Sequence, residues 1–210
     1  MKSFSVPMLL AALCLTAAGC FGPRAQVTRA FELELPAEAQ ARPDASAPVV
    51  RVRDLDPSAV VDRDSLVLRQ SAVELRFPEH LRWARRPHRL IADALGRALV
   101  DRGLASSAPR TLADLKPTFE LDGRLDVCEQ DLSSKSPLVR LGWTLTLRRF
   151  ADGRIVWRHV FFGSAPSGAE PEAGVAALSK LVQRALGAAL DGLGKSDALR
   201  QPAPADAPQP

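Results

Sequence analysis

The sequence predicts a two-layer α+β domain, a mostly antiparallel or mixed β-sheet covered by two amphipathic helices. Two observations carry this. Long runs of strict apolar/polar alternation surround a tight-turn signal, Asp152-Gly153, which is the pattern of a sheet with one dry and one wet face. Two segments that open on proline, at Pro87 and Pro171, place apolar residues at helical spacing. A half-buried sheet and a pair of one-sided helices can satisfy each other only by stacking.

The elements follow in order. Phe31, Leu33 and Leu35 alternate with Glu32 and Glu34 and predict a strand that Pro36 stops. Positions 37–48 have no apolar period and read as a loop. Val50 and Val52 alternate with Arg51 and Arg53 as a second strand. Leu66-Val67-Leu68 and the stretch from Val73 to Phe77 read as two more, joined near Gln70-Ser71 and closed by Pro78. Pro87 fits a first helical turn, where its missing N–H costs nothing. Ile91, Ala94, Leu95, Ala98 and Leu99 then form one face, and Gly103 supplies a stop.

Phe119, Leu121, Leu125 and Val127 share one parity against Glu120, Asp122, Arg124 and Asp126. Val139, Leu141, Trp143, Leu145 and Leu147 continue across a second strand. Asp152-Gly153 turns the chain, because both positions tolerate positive φ, and Ile155, Trp157 and Phe161 return. Pro171 opens the second helix, whose stripe runs from Val175 to Leu190 and which Gly192 and Gly194 are expected to end. Beyond Lys195 the Gln/Pro/Ala composition buries too little to offset ordering entropy, so residues 195–210 are expected to be a disordered tail.

The first twenty residues carry an export signal. Lys2 is basic, the run from Pro7 to Leu15 is apolar but shorter than the ~20 residues a bilayer span needs, and Ala17-Ala18-Gly19 leads into Cys20. Small residues before a cysteine resemble the lipobox of bacterial lipoproteins, in which cleavage between Gly19 and Cys20 leaves an acylated cysteine at the mature terminus. The alternative is an ordinary cleaved signal with Cys20 incidental. The organisation expected is a signal peptide at 1–19, a lipidated tether at 20–29, one domain at 30–194 and the tail at 195–210. Of three cysteines, the mature chain would keep Cys20 and Cys128, with the first acylated, so a disulfide framework is excluded. Charges of both signs are interspersed, with 28 Lys+Arg against 24 Asp+Glu. No basic block points to nucleic acid.

Catalytic constellations are sparse. The three histidines, His80, His88 and His159, match no metal spacing, and a zinc site from His80, His88 and Cys128 would need three elements to converge. Cys128 falls on the acidic parity of its strand, and His159 on the apolar parity of its own. Asp54, Asp56, Asp62 and Asp64 lack the spacing and glycine of a calcium loop and read as turn residues. Gly-x-Ser-x-Gly and Gly-x-Gly-x-x-Gly are absent. No catalytic residue, cofactor or metal is expected. The remaining unusual segment is the run from Phe77 to Pro87. Trp83 should plug the strand-to-helix corner, while Arg82, Arg85 and Arg86, with Trp83, are the candidate partner-binding group.

The run Arg51-Val52-Arg53-Asp54-Leu55, then Val67 to Ser71, Val73-Glu74-Leu75, Arg82-Trp83-Ala84, Pro87 and the helix from Leu90 to Leu104 resembles the ABC-type transport auxiliary lipoproteins of the paraquat-inducible protein C kind. The resemblance implies a non-catalytic lipoprotein at the outer membrane, facing the periplasm. It implies service to a lipid transporter built of an ATPase, a permease and a substrate-binding subunit of the mammalian-cell-entry type. It also implies a capacity to assemble into a homo-oligomeric ring. Phe21 stands where an aspartate often retains lipoproteins at the inner membrane. The competing readings are a lipid-anchored scaffold for another envelope complex and a lipid-anchored hydrolase.

Overall fold

The computed structural model describes residues 27–35, 44–111 and 116–200. The signal segment, the expected cleavage point at Gly19-Cys20 and residues 201–210 lie outside them. The frame is an antiparallel meander of three long strands, β7 (Phe119–Asp131), β8 (Leu138–Arg149) and β9 (Ile155–Pro166). β8 lies between the other two, and β9 forms one sheet edge. The far side of β7 is met in succession by three short strands that all run parallel to it. These are β2 (Val50–Val52), β3 (Asp56–Pro57) and β4 (Leu68–Arg69). β4 also pairs with β5 (Leu75–Arg76), which closes that edge. A separate parallel pair joins β1 (Arg29–Phe31) to β6 (Leu81–Trp83).

Helices α1 (Pro87–Asp101) and α2 (Pro171–Lys195) cover one face of the sheet. Both open on proline, as their sequences predict. α1 stops ahead of Gly103, whose φ of 68° is the left-handed conformation a helix terminus asks for. Gly153 takes the same φ of 68° in the β8–β9 turn. On the covered face Val139, Leu141, Trp143, Leu145 and Leu147 of β8 meet Leu178, Leu181, Val182, Ala185 and Leu186 of α2 in one buried cluster. Fully burying each leucine or valine contributes about 1.5–3 kcal/mol.

Five expectations need correction. Alternation along β7 does not run through to Cys128. The register slips between Leu125 and Val127, so Asp126 is an extra residue. A bulge reverses the facing of everything after it, and Cys128 therefore points into the core at 2% exposure rather than joining the acidic face. α2 does not end at Gly192 or Gly194 but continues to Lys195, because Leu193 buries between the two glycines. Past it a 3₁₀ turn over Ala198–Arg200 buries Ala198, so residues 195–200 are structured where a disordered tail was expected.

The first strand is also displaced, to Arg29–Phe31. Leu33 is still buried, but the chain at Glu34 lies along α2. There the Glu34 N–H donates to Ser179 Oγ (3.0 Å) and Gln183 Nε2 donates to the Glu34 carbonyl (2.7 Å). Side chains of the helix take the place of a neighbouring strand. Val73 leaves the expected strand as well. The Ser71 hydroxyl accepts from the N–H groups of Val73 (3.3 Å) and Glu74 (3.1 Å), making a turn that β5 follows.

Candidate functional site

The corner from β6 into α1 presents the sequence-predicted group. Leu81 and Trp83 point inward from β6 and Arg82 outward, the ordinary alternation of a strand. Trp83 is 9% exposed within the core cluster, so it plugs the corner as expected and lends little surface to a partner. Its N–H donates to the Asp64 carbonyl (2.6 Å), and the Ala84 N–H donates to the Phe31 carbonyl (2.7 Å). Arg86 is the N-cap residue with extended backbone, and no side chain caps the helix.

The three arginines do stand together at the surface, but each is engaged within the chain. Arg82 NH2 lies 3.0 Å from Asp64 Oδ2. Arg86 bridges Asp64 (2.9 Å) and Asp62 (2.7 Å). Arg85 pairs with Asp93 on α1 and lies 3.7 Å from Glu32. The hydrogen bond and charge of Arg86, then those of Arg82, hold the Asp64 carboxyl below its ordinary value. Asp54 pairs with Arg110 and lies 3.9 Å from Arg89. Of the four acids read as turn residues, Asp62 and Asp64 are thus the counter-charges of the arginine segment, while Asp54 and Asp56 pair with arginines elsewhere. Two opposite charge clusters some twenty positions apart were a usable signal that strand-and-helix periodicity does not register.

Beside this corner lies an open cleft lined by Thr28, Arg63, Phe77, Glu79 and His80 together with the Asp62–Asp64 and Arg82–Arg86 pairs. The Arg63 guanidinium stacks 4.0 Å above the Phe77 ring. The uncovered face of the sheet is a second charged surface. Arg51 pairs with Glu120 (2.9 Å), Arg148 with Asp122 (3.0 Å) and Arg140 with Asp131 (2.8 Å). Arg69 grips Glu129 through both carboxylate oxygens at 2.7 and 3.1 Å. Burial pushes the Asp131 carboxyl up. The Ser133 hydroxyl and N–H, with Arg140 and Arg69, overcome it and leave the group below its ordinary value.

The groups that could carry chemistry do not converge. Burial, with the Glu129 charge adding to it, pushes the Cys128 thiol up to about 12, so it stays protonated and unreactive. It lines a small internal cavity together with Leu66, Leu68, Trp83, Val139 and Leu178. His88 is buried on α1, and desolvation lowers its pKa against the opposing charge of Asp54. His159 stacks on Trp157 with ring centroids 5.6 Å apart, and burial lowers its pKa too. Among the described residues no three His, Cys, Asp or Glu side chains could hold a metal ion, and no helix is long and apolar enough to cross a membrane. Gln130, which sequence reading passed over, braces the entry to α2. Its Nε2 donates to the Gly168 carbonyl (2.8 Å), with the Ala169 and Glu170 carbonyls at 3.3 Å, and its amide lies where a Cβ on Gly174 would fall.

Comparison with known proteins adds the following. The sequence model of the ABC-type transport auxiliary lipoprotein component family matches residues 31–189. No curated protein matches the chain. Among solved structures, protein XCC0632 from Xanthomonas campestris is similar at TM-score 0.65 and 18% identity, over 77% of this chain and 92% of that one. An uncharacterised protein follows at TM-score 0.64 and 11% identity, over 80% of this chain and 99% of that one. These two likenesses show a shared fold. A PelC dodecamer from Paraburkholderia phytofirmans aligns at TM-score 0.46 and 13% identity, over 75% and 93% of the two chains.

Proposed function

Because the chain belongs to the ABC-type transport auxiliary lipoprotein component family, we propose that it is a non-catalytic, lipid-anchored subunit of an ABC-type system that moves lipid between membranes. The anchor is acylated Cys20, exposed by cleavage after Gly19, and the location is the periplasmic side of the outer membrane. The partner is a substrate-binding subunit of the mammalian-cell-entry type, and the resemblance extends the proposal to a ring of copies. The observation that carries this reading is the span of the family match, which runs from β1 nearly to the end of α2 and so takes in both layers.

The site supports a role in shape and contact. Its arginines are held in fixed positions by Asp62, Asp64 and Asp93, its thiol is buried, and its histidines lie apart. Pre-ordered arginines suit recognition, since a partner's carboxylate then meets guanidinium groups whose side-chain entropy is already lost. Arg82, Arg85 and Arg86 are the contact residues proposed.

The test is isolation of the tagged, full-length protein from gently solubilised membranes. Co-elution of a permease, an ATPase and a mammalian-cell-entry-type subunit, with the protein banding in the outer-membrane fraction, is the expected result. A stable complex containing no transporter subunit would favour the scaffold reading instead.

A further inference from the structure

Arg29 lies close in sequence to Cys20, and the place where it is held constrains how the molecule stands. The Arg29 N–H donates to the His80 carbonyl (2.7 Å), and the Arg29 side chain pairs with Glu172 in the first turn of α2. Residue 29 is thereby fixed at the N-terminal end of α2, a helix of 25 residues and hence about 37 Å long. Six residues separate Cys20 from Val27, and no conformation lets the span between those two reach beyond about 25 Å. A lipid on Cys20 therefore keeps this end of the molecule close to the bilayer. The Asp152-Gly153 turn lies at the other end of the meander: β9 leads away from it and, a few residues beyond Pro166, into the start of α2.

The near end has a distinctive surface. Its tip is the turn between β4 and β5, where Val73 is 95% exposed and is held there by the Ser71 hydroxyl. A turn tip is ordinarily polar or glycine, and Val73 is the most exposed large apolar residue among those described. The open cleft begins beside the first described residues, with Thr28 in its wall. In that cleft Arg63 is exposed and stacked on Phe77, and among the described residues no carboxylate pairs with it. Asp62 is matched by Arg86, Asp64 by Arg82 and Arg86, and Glu74 by Arg76 at 3.1 Å, while Glu79 in the cleft wall makes no ion pair among the described residues.

We propose that this end of the molecule rests on the phospholipid surface holding the anchor, with Val73 entering the headgroup layer and Arg63 meeting lipid phosphate. The proposal rests on acylation of Cys20. It adds an orientation, in which the Asp152-Gly153 end of the meander stands farthest from the bilayer. A small apolar side chain and one arginine bind a membrane weakly by themselves, but the tether supplies the local concentration that makes such contacts persist.

The experiment uses the full-length acylated protein in vesicles of phosphatidylethanolamine and phosphatidylglycerol. A fluorophore is placed at Val73→Cys, Val160→Cys or Asp152→Cys, and the vesicles carry headgroup-level quencher lipids. The orientation predicts loss of most fluorescence at position 73, a smaller loss at 160 and none at 152. Arg63→Ala should reduce the loss at 73. Equal or greater quenching at 160 or 152, or protection of position 73 by a co-purified transporter subunit in place of quenching, overturns it. Mass spectrometry of the same preparation separates the two readings. An acylated Cys20 with position 73 unquenched defeats the orientation alone, and an unmodified Cys20 defeats both.

Discussion

The two faces of the meander are built from the same strands and do opposite things. On β8, Leu145 is fully buried against the helices, while Thr144 and Arg148 look the other way. The inner face is aliphatic and aromatic, closed by α1 and α2, and centred on Trp143, which lies 5.7 Å from the Phe161 ring. The outer face carries arginine–carboxylate pairs across β2, β4, β7 and β8. Stability belongs to the first face and charge presentation to the second, because burial is worth kilocalories per side chain while solvated ion pairs are worth fractions of one.

The largest contrast should appear in the chemistry of Cys128. With its pKa pushed to about 12, the native thiol should react with a disulfide reagent at pH 8 roughly a thousandfold more slowly than the unfolded thiol. A raised thiol pKa favours the folded state fully below the unfolded value of about 8.5, and that contribution falls as pH climbs toward the folded one. Alkaline melting curves should therefore decline above pH 9. Rapid native labelling would mean that Cys128 faces outward after all.

Next, Trp143→Ala on the inner face should cost about 3–5 kcal/mol in urea unfolding. Trp83→Ala at the corner should fall in the same range. Glu129→Ala should cost less, about 2–3 kcal/mol, because it leaves a guanidinium without the carboxylate that takes two of its N–H groups. That pair is the place where the outer face comes closest to the inner one in character, with Glu129 only 4% exposed. Arg148→Ala, which breaks a half-exposed pair, should fall within about 1 kcal/mol and be masked by salt. An Arg148 effect as large as that of Trp143 would abolish the distinction between the faces.

The inner face was legible because periodicity records burial. Five alternating residues of β8, the Asp152-Gly153 turn and both proline-opened helices stand where the sequence places them. Short or interrupted features were not. The bulge at Asp126 changes facing without changing composition, so Cys128 could not be assigned to the core by counting. Glu34 is held by Ser179 and Gln183 across more than a hundred positions, a contact no local pattern encodes. The arginine segment was visible as a cluster, but its engagement with Asp62, Asp64 and Asp93 depended on tertiary geometry. Cys20 shows the reverse case, in which sequence is informative and the described structure begins only afterwards.

The central claim is that this chain serves a transporter by position and contact and performs no chemistry. The most direct measurement is complementation of a deletion strain by a variant carrying His80→Gln, His88→Gln, His159→Gln and Cys128→Ser, with folding verified by its thermal midpoint and anchoring by fractionation. The account predicts envelope integrity and transporter co-purification at wild-type level. A folded, anchored variant that still binds its partners but fails to restore the envelope would contradict it.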